Sequence, residues 1–401
     1  ANAFSGCNTL ETVRMLSGVR TISANAFYGA AGLREVEIPN TVTSIGASAF
    51  YGCSSLQEVV VPNSVTSIGQ GAFQGCNSLV KMTLPFVGKS RTATAYDAVF
   101  GYIFGFTTSL SDNAVSSGNS PTSFQNKIYG DIEEAIWQYT CCNYLHAFPY
   151  YKYQSYWYYI PVSLREVVIT DADVISDAAF NGCTMLESIT LNEGITAING
   201  YAFQNCDGLT EIVIPESVTN IGSYAFIEND KLTEVTLPSG LTAISDYTFQ
   251  NCTALVSVNG NGEVIIGTNV TSIGSYAFSG CASITKVTLP NGLAEIGQVA
   301  FGDAASLMQI NIPASVTSIG ASAFNGCTNL VRVNSDTDGK MILLDGLESI
   351  GTGAFGGLGK ITEVVVPNSV TSIGQGAFQG CNSLVKMTLP FVGKSRTATA
   401  Y

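Results

Sequence analysis

Leu56-Gln57-Glu58-Val59-Val60-Val61-Pro62-Asn63-Ser64-Val65-Thr66-Ser67-Ile68-Gly69-Gln70-Gly71-Ala72-Phe73-Gln74-Gly75-Cys76-Asn77-Ser78 is followed by Leu79, which starts the same pattern again. The marker phenylalanine of this 23-residue unit recurs at 4, 27, 50 and 73, then at 180, 203, 226, 249, 278, 301, 324, 355 and 378. Self-similarity at a fixed period of roughly 20–50 residues is the signature of stacked repeats. Such repeats override the prior of two or three separate domains that 401 residues would otherwise suggest.

Each part of the unit has a physical role. Leu56, Val59 and Val61 place three inward side chains on one short strand. Pro62 lacks the N–H that a ladder needs and suits a strand exit. Val65 and Ile68 supply a second inward pair, Gly69 permits a sharp bend, and Ala72-Phe73 face inward on the far side. One turn cannot bury these faces alone, but stacked turns can. Burying each Phe contributes roughly 1.5–3 kcal/mol, so thirteen of them form a spine. The reading is a solenoid.

The residues now carry a resemblance. Leu-x-x-Val-x-Leu/Ile-Pro, followed by Val-Thr-Ser-Ile-Gly-x-x-Ala-Phe-x-Gly-Cys-x-x-Leu, resembles the BspA-like, or Treponema-type, leucine-rich repeat family over about residues 1–85 and 163–390. The resemblance implies a right-handed leucine-rich repeat solenoid, β-rich, with a parallel concave sheet and short strands or helical turns on the convex side. It also implies a non-catalytic protein, extracellular and at a bacterial or protist cell surface, that mediates adhesion or protein recognition.

Departures from the period divide the chain. A first repeat block spans 1–85, an inserted aromatic-rich island 86–162, a second repeat block 163–390, and the start of a further island 391–401. The 107-residue gap between Phe73 and Phe180 holds roughly four turns' worth of chain. Two long turns carry extra residues near Asn259–Gly262 and Asn334–Met341, expected as loops on one rim. Glu58 to Tyr96 is identical to Glu363 to Tyr401, thirty-nine residues at an offset of 305. That identity suggests a tandem array of super-repeats of about 305 residues. The alternative function is therefore structural, a filament-forming surface protein. The opening at Ala1, with neither an initiating Met nor a basic leader, fits a piece of something longer.

Composition excludes several classes. A chain that is 46% hydrophobic and 12% charged is not disordered. Seventeen basic against thirty acidic residues, net −13, argue against nucleic acid, which needs clustered Lys and Arg. No apolar run approaches the ~18 residues of a membrane span.

Chemistry-bearing residues are few. Nine of the eleven cysteines stand three residues after a repeat Phe, a slot that elsewhere holds Ala30, Asn229, Ala304 or Leu358. The expectation is a ladder of small, buried, reduced residues rather than disulfides or zinc ligands. Cys141 and Cys142 lie near the only histidine, His146, but no orienting Asn or Asp motif accompanies them, so island packing is the reading. Ser335-Asp336-Thr337-Asp338-Gly339 lacks the bidentate Glu of a calcium loop and reads as a turn. Asn251 and Asn269 begin N-x-S/T patterns, which matter only in a eukaryotic secretory source. No catalytic residue, metal or cofactor is implied.

Two surfaces remain as partner candidates. Outward positions of the strands give an acidic column of Glu35, Glu58, Glu166, Glu211, Glu234 and Glu363. The island offers Tyr150, Tyr151, Tyr153, Tyr156, Trp157 and Tyr158, anchors for protein or stacking faces for sugar, or else the island's own core. The partners expected are a protein or glycan on another surface, or identical copies of the chain.

Overall fold

The computed structural model describes residues 1–94, 97–107, 136–138, 156–392 and 395, in two compact units, Ala1–Gly194 and Ile195–Tyr401. Both are stacks of short parallel strands joined by turns. Among the described residues helix is confined to a few 3-10 residues, chiefly Phe100–Phe104.

In the first unit Thr12–Arg14 pairs with Glu35–Glu37, and Glu58–Val60, Lys81–Leu84, Glu166–Ile169 and Ser188–Thr190 form a parallel sheet in that order. A second parallel sheet takes the Ser/Thr-Ile dipeptides Thr21–Ile22, Ser44–Ile45 and Ser67–Ile68. The second unit repeats the plan, with ten strands from Glu211–Val213 to Lys386–Thr388 in its longer sheet. A six-stranded sheet from Ala243–Ile244 to Ser372–Ile373 lies in the same turns. Register preserves the repeat: Glu58, Val59 and Val60 face Lys81, Met82 and Thr83. Val59 and Met82 are buried while their neighbours reach solvent, as period-two alternation demands.

The phenylalanines stack as the sequence implies. Phe27, Phe50 and Phe73 are spaced 5.3 Å apart with near-parallel rings, and the column from Phe203 to Phe378 keeps steps of 5.2–5.5 Å. The glycine of Val-Thr-Ser-Ile-Gly has a firmer reason than a bend. A Cβ built on Gly69 would fall on the backbone nitrogen of Ala47, one turn away, so the turns close on each other there.

The long gap consumes one turn of the stack. Lys81–Leu84 pairs directly with Glu166–Ile169, Lys81 opposite Glu166 and Leu84 opposite Ile169, so no strand of this sheet comes from the residues between. Within the span that the sequence gives to the island, Phe86, Phe100 and Phe104 are buried. Phe100 enters the phenylalanine column, its ring 5.1 Å from that of Phe180, and Phe73 N–H donates to the Ile103 carbonyl at 2.9 Å. The chain rejoins the stack at Ser163, whose Oγ donates to the carbonyls of Asn77 (2.8 Å) and Leu79 (2.7 Å).

The two long turns correct the rim-loop expectation. Their extra residues build an additional strand: Ser257–Val258 pairs in parallel with Val264–Ile265, and Arg332–Val333 with Lys340–Ile342. An asparagine makes each doubling possible. Asn259 (φ 54°) and Asn334 (φ 49°) adopt the left-handed conformation that Asn tolerates best after Gly. In a regular turn the residue after the strand, such as Ile214, donates its N–H to a backbone carbonyl of the next turn. Here Leu237 N–H donates instead to Asn259 Oδ1 at 2.7 Å, and Ile312 N–H to Asn334 Oδ1 at 2.7 Å. The amide nitrogens reach forward to the carbonyls of Ile265 (3.3 Å) and Ile342 (2.8 Å). Each side chain thus stands in for a missing rung.

Candidate recognition surface

The outward column of the strands is not uniformly free. Glu166 is ion-paired with Lys81 at 2.8 Å, and Glu58 lies in register with the same lysine. That Glu166 hydrogen bond holds the Lys81 ammonium above its usual pKa. Glu363 takes Lys386 at 3.0 Å and Lys340 at 3.8 Å, and the Lys386 hydrogen bond pulls its carboxyl below the usual range. Lys286 is held by Glu263 at 2.6 Å and Arg332 by Asp338 at 2.6 Å. The second pair engages one of the two aspartates of the Ser335–Gly339 turn.

Four glutamates of this column have no ion pair among the described residues: Glu35, Glu58, Glu211 and Glu234. Glu211 and Glu234 stand directly opposite each other on neighbouring strands, both exposed. Val213, two residues along the first of these strands, is 65% exposed. Farther along the second unit a recess of about 580 Å³ opens beside the second doubled turn, lined by Asn311, Asn334, Asp336, Thr337 and Lys340.

The island candidates fare differently. Tyr150, Tyr151 and Tyr153, together with Cys141, Cys142 and His146, lie outside the described residues. Tyr156 and Trp157 belong to the strand Tyr156–Tyr158, which pairs antiparallel with Ile136–Gln138 and with Phe106–Thr107. Tyr158 is fully buried, its ring lying where a Cβ on Gly101 would go. It joins the insert to the stack and offers nothing to a partner.

The cysteine slot proves to be a donor site. Sγ of Cys53, Cys76, Cys252, Cys281 and Cys327 lies 3.0–3.4 Å from the carbonyl oxygen of a Phe one turn away. No described cysteine forms a disulfide. Asn229, in the same slot and fully buried, donates to the carbonyls of Phe203 and Phe226 at 2.8 and 2.7 Å and accepts from Cys206 N–H. The presence of Asn among the occupants was the available signal, since thiol and amide are both able to donate. A further feature is a stack of four tyrosines, Tyr201, Tyr224, Tyr247 and Tyr276, with ring steps of 4.4–4.7 Å. Its signal was the tripeptide Tyr-Ala-Phe, with Tyr-Thr-Phe at Tyr247.

Repeat length, inward pattern and strand plan meet in one comparison. The profile described as BspA type Leucine rich repeat region (6 copies) matches residues 1–102, 152–268, 260–384 and 335–397. The chain belongs to the BspA-type leucine-rich repeat family. No curated protein matches it. Among solved structures, this BspA-type chain is similar to a leucine rich cell surface protein from Faecalibacterium prausnitzii A2-165: 22% identity, 97% of this chain and 89% of that one covered, TM-score 0.40. It is similar to a leucine-rich repeat protein from Bacteroides ovatus ATCC 8483, at 22% identity with 95% and 78% covered and a TM-score of 0.49. It is also similar to the pneumococcal vaccine antigen PcpA, at 16% identity with 96% and 78% covered and a TM-score of 0.41.

Proposed function

We propose that this BspA-type chain is a non-catalytic recognition protein, extracellular and displayed at a cell surface, that adheres to another protein through the outward side chains of its strand sheets. The observation that carries the reading is Glu211 beside Glu234. Like charges directly opposite on adjacent strands destabilise a sheet, and these two have no counter-ion among the described residues. A cationic patch on a partner would supply one, which gives specificity and speed of encounter. Beads coated with the purified chain should adhere to cultured cells or immobilised matrix protein, and Glu211→Lys with Glu234→Lys should abolish adhesion at unchanged melting temperature. Unchanged adhesion overturns the reading.

A second reading, structural, is favoured by the identity of Glu58–Tyr96 with Glu363–Tyr401. In it the chain is one unit of a tandem array, or of a filament built from such units. Sequencing the gene on both sides tests it: further copies at the 305-residue offset support the array, and unrelated flanks overturn it.

A further inference from the structure

The second doubled turn builds a recess as well as a strand. Asn334 ties the chain to Ile312 and to Ile342, and Ser335 braces the residues that follow. Its Oγ accepts Thr337 N–H at 3.1 Å and donates to the Thr337 carbonyl at 3.3 Å. Asp336 and Thr337, held within this brace, are exposed. The recess of about 580 Å³ that opens there falls within the roughly 300–1,000 Å³ of small-molecule sites.

Its polar groups are not engaged elsewhere. Asp338, the other acid of the turn, is held by Arg332 at 2.6 Å, whereas Asp336 has neither an ion pair nor a side-chain hydrogen bond among the described residues. The same is true of the exposed side chain of Asn311, two strands away on the same sheet. Lys340 meets no described anion closer than Glu363 at 3.8 Å, and that carboxylate holds Lys386 at 3.0 Å. Ile342 and Leu344 turn outward on either side of buried Leu343, Leu344 being 38% exposed, and give the recess an apolar strip.

This lining selects among ligand chemistries. An anionic ligand would meet the Asp336 carboxylate and a cationic one the Lys340 ammonium, so the pair favours a ligand without net charge. A peptide is commonly taken up by adding a strand to an open sheet edge. The strand Lys340–Ile342 is paired on both sides, with Arg332–Val333 and with Glu363–Val365, and offers no such edge.

We propose that the recess is a binding site for an uncharged oligosaccharide. A sugar hydroxyl both donates and accepts, and the recess supplies both complements. Asp336 accepts, Lys340 donates, and the Asn311 amide does each. Hydrogen bonds to the two charged groups are the stronger ones. The carbon-bound hydrogens of a pyranose ring would cover Ile342 and Leu344, removing apolar surface from water. The site is separate from the Glu211–Glu234 pair, and its existence does not depend on adhesion through that pair.

The full chain, labelled with a fluorophore, is applied to an array of neutral oligosaccharides built from glucose, galactose, mannose and N-acetylglucosamine, and the best-bound sugar is then titrated by calorimetry. The wild type should bind, with nearly the same affinity at about 50 and about 500 mM NaCl, because the ligand carries no charge to screen. Asn311→Ala with Asp336→Ala should weaken binding at least about tenfold at unchanged melting temperature, since neither side chain has a partner to lose among the described residues. Asn261→Ala, in the first doubled turn and outside the recess, should leave binding unchanged. Absence of any bound sugar, full affinity in the Asn311/Asp336 variant, or an equal loss in Asn261→Ala overturns the proposal.

Discussion

Cys252 Sγ donates to the carbonyl oxygen of Phe226, one turn away in the stack, at 3.1 Å. That oxygen also receives Asn229 Nδ2 at 2.7 Å, so two side chains of the small-residue slot converge on one phenylalanine carbonyl. The slot therefore stitches turn to turn. Cys252→Ala should cost about 1 kcal/mol, the net worth of one buried hydrogen bond. Asn229→Ala should cost more, about 2–3 kcal/mol, because Cys206 N–H loses its buried acceptor. Urea midpoints of the two variants check the order; equal midpoints would remove the hydrogen-bonding role.

Burial pushes the thiols of Cys53, Cys252 and Cys327 up to about 12. In the unfolded chain these thiols ionise near 9, so between pH 9 and 12 the folded state holds more protons than the unfolded one. Stability is then fully present below pH 9 and falls as pH rises toward 12. Melting temperatures measured from pH 8 to pH 11 should decline, and Cys252→Ala should flatten the decline. At pH 8 alkylation followed by peptide mapping should label Cys7, which is exposed, long before Cys252. Equal labelling would show that the slot opens in the native state.

Asn259 and Asn334 are predicted to be the least replaceable residues of the doubled turns. Asn334→Ala loses an acceptor for Ile312 N–H and a donor to the Ile342 carbonyl, and places alanine at φ 49°. A cost of about 2–4 kcal/mol is expected from two lost hydrogen bonds plus left-handed strain. Asn334→Gly should recover only the strain. Hydrogen exchange should show Ile312 N–H losing protection in both variants, and unchanged protection would contradict the assigned rung.

Phe324 stacks between Phe301 and Phe355 at 5.4 Å on either side and is fully buried. Phe324→Ala should cost about 3–5 kcal/mol through the cavity it leaves. Because each turn meets only its neighbours, the damage should stay local. Exchange protection should fall around Ala300 and Ala354 while turns near Phe50 keep theirs. Loss spread evenly along the chain would show a cooperativity that the repeat plan does not contain.

Much of the fold could be read from spacing. Leu56, Val59, Val61, Val65, Ile68, Ala72 and Phe73 are buried, as their places in the unit implied. The doubled turns escaped because six or eight extra polar residues look alike whether they bulge or pair. Only the placement of Asn259 between two backbones shows that its amide completes a ladder. The tyrosine column escaped for another reason: Tyr-Ala-Phe is visible in sequence, but left-handed backbone and face-to-face stacking are not. The positions of the acidic column were legible in the repeat spacing; which glutamates are engaged followed from where Lys81, Lys340 and Lys386 fell in neighbouring strands.

The thirty-nine duplicated residues separate the two kinds of information. Both copies form the same short strands, Glu58–Val60 with Lys81–Leu84 and Glu363–Val365 with Lys386–Thr388, in the same register. Sequence alone determined that much, because strand, turn and inward pattern depend on nearby residues and on the repeat. Ion pairing differs between the copies. Lys81 pairs with Glu166 of the following strand at 2.8 Å and Glu58 has no ion pair among the described residues, whereas Glu363, the twin of Glu58, takes Lys340 of the preceding strand at 3.8 Å. Identical residues cannot differ in propensity or charge. The difference lies in which strand the tertiary structure sets beside them, because an ion pair forms only where the two charges come within about 4 Å.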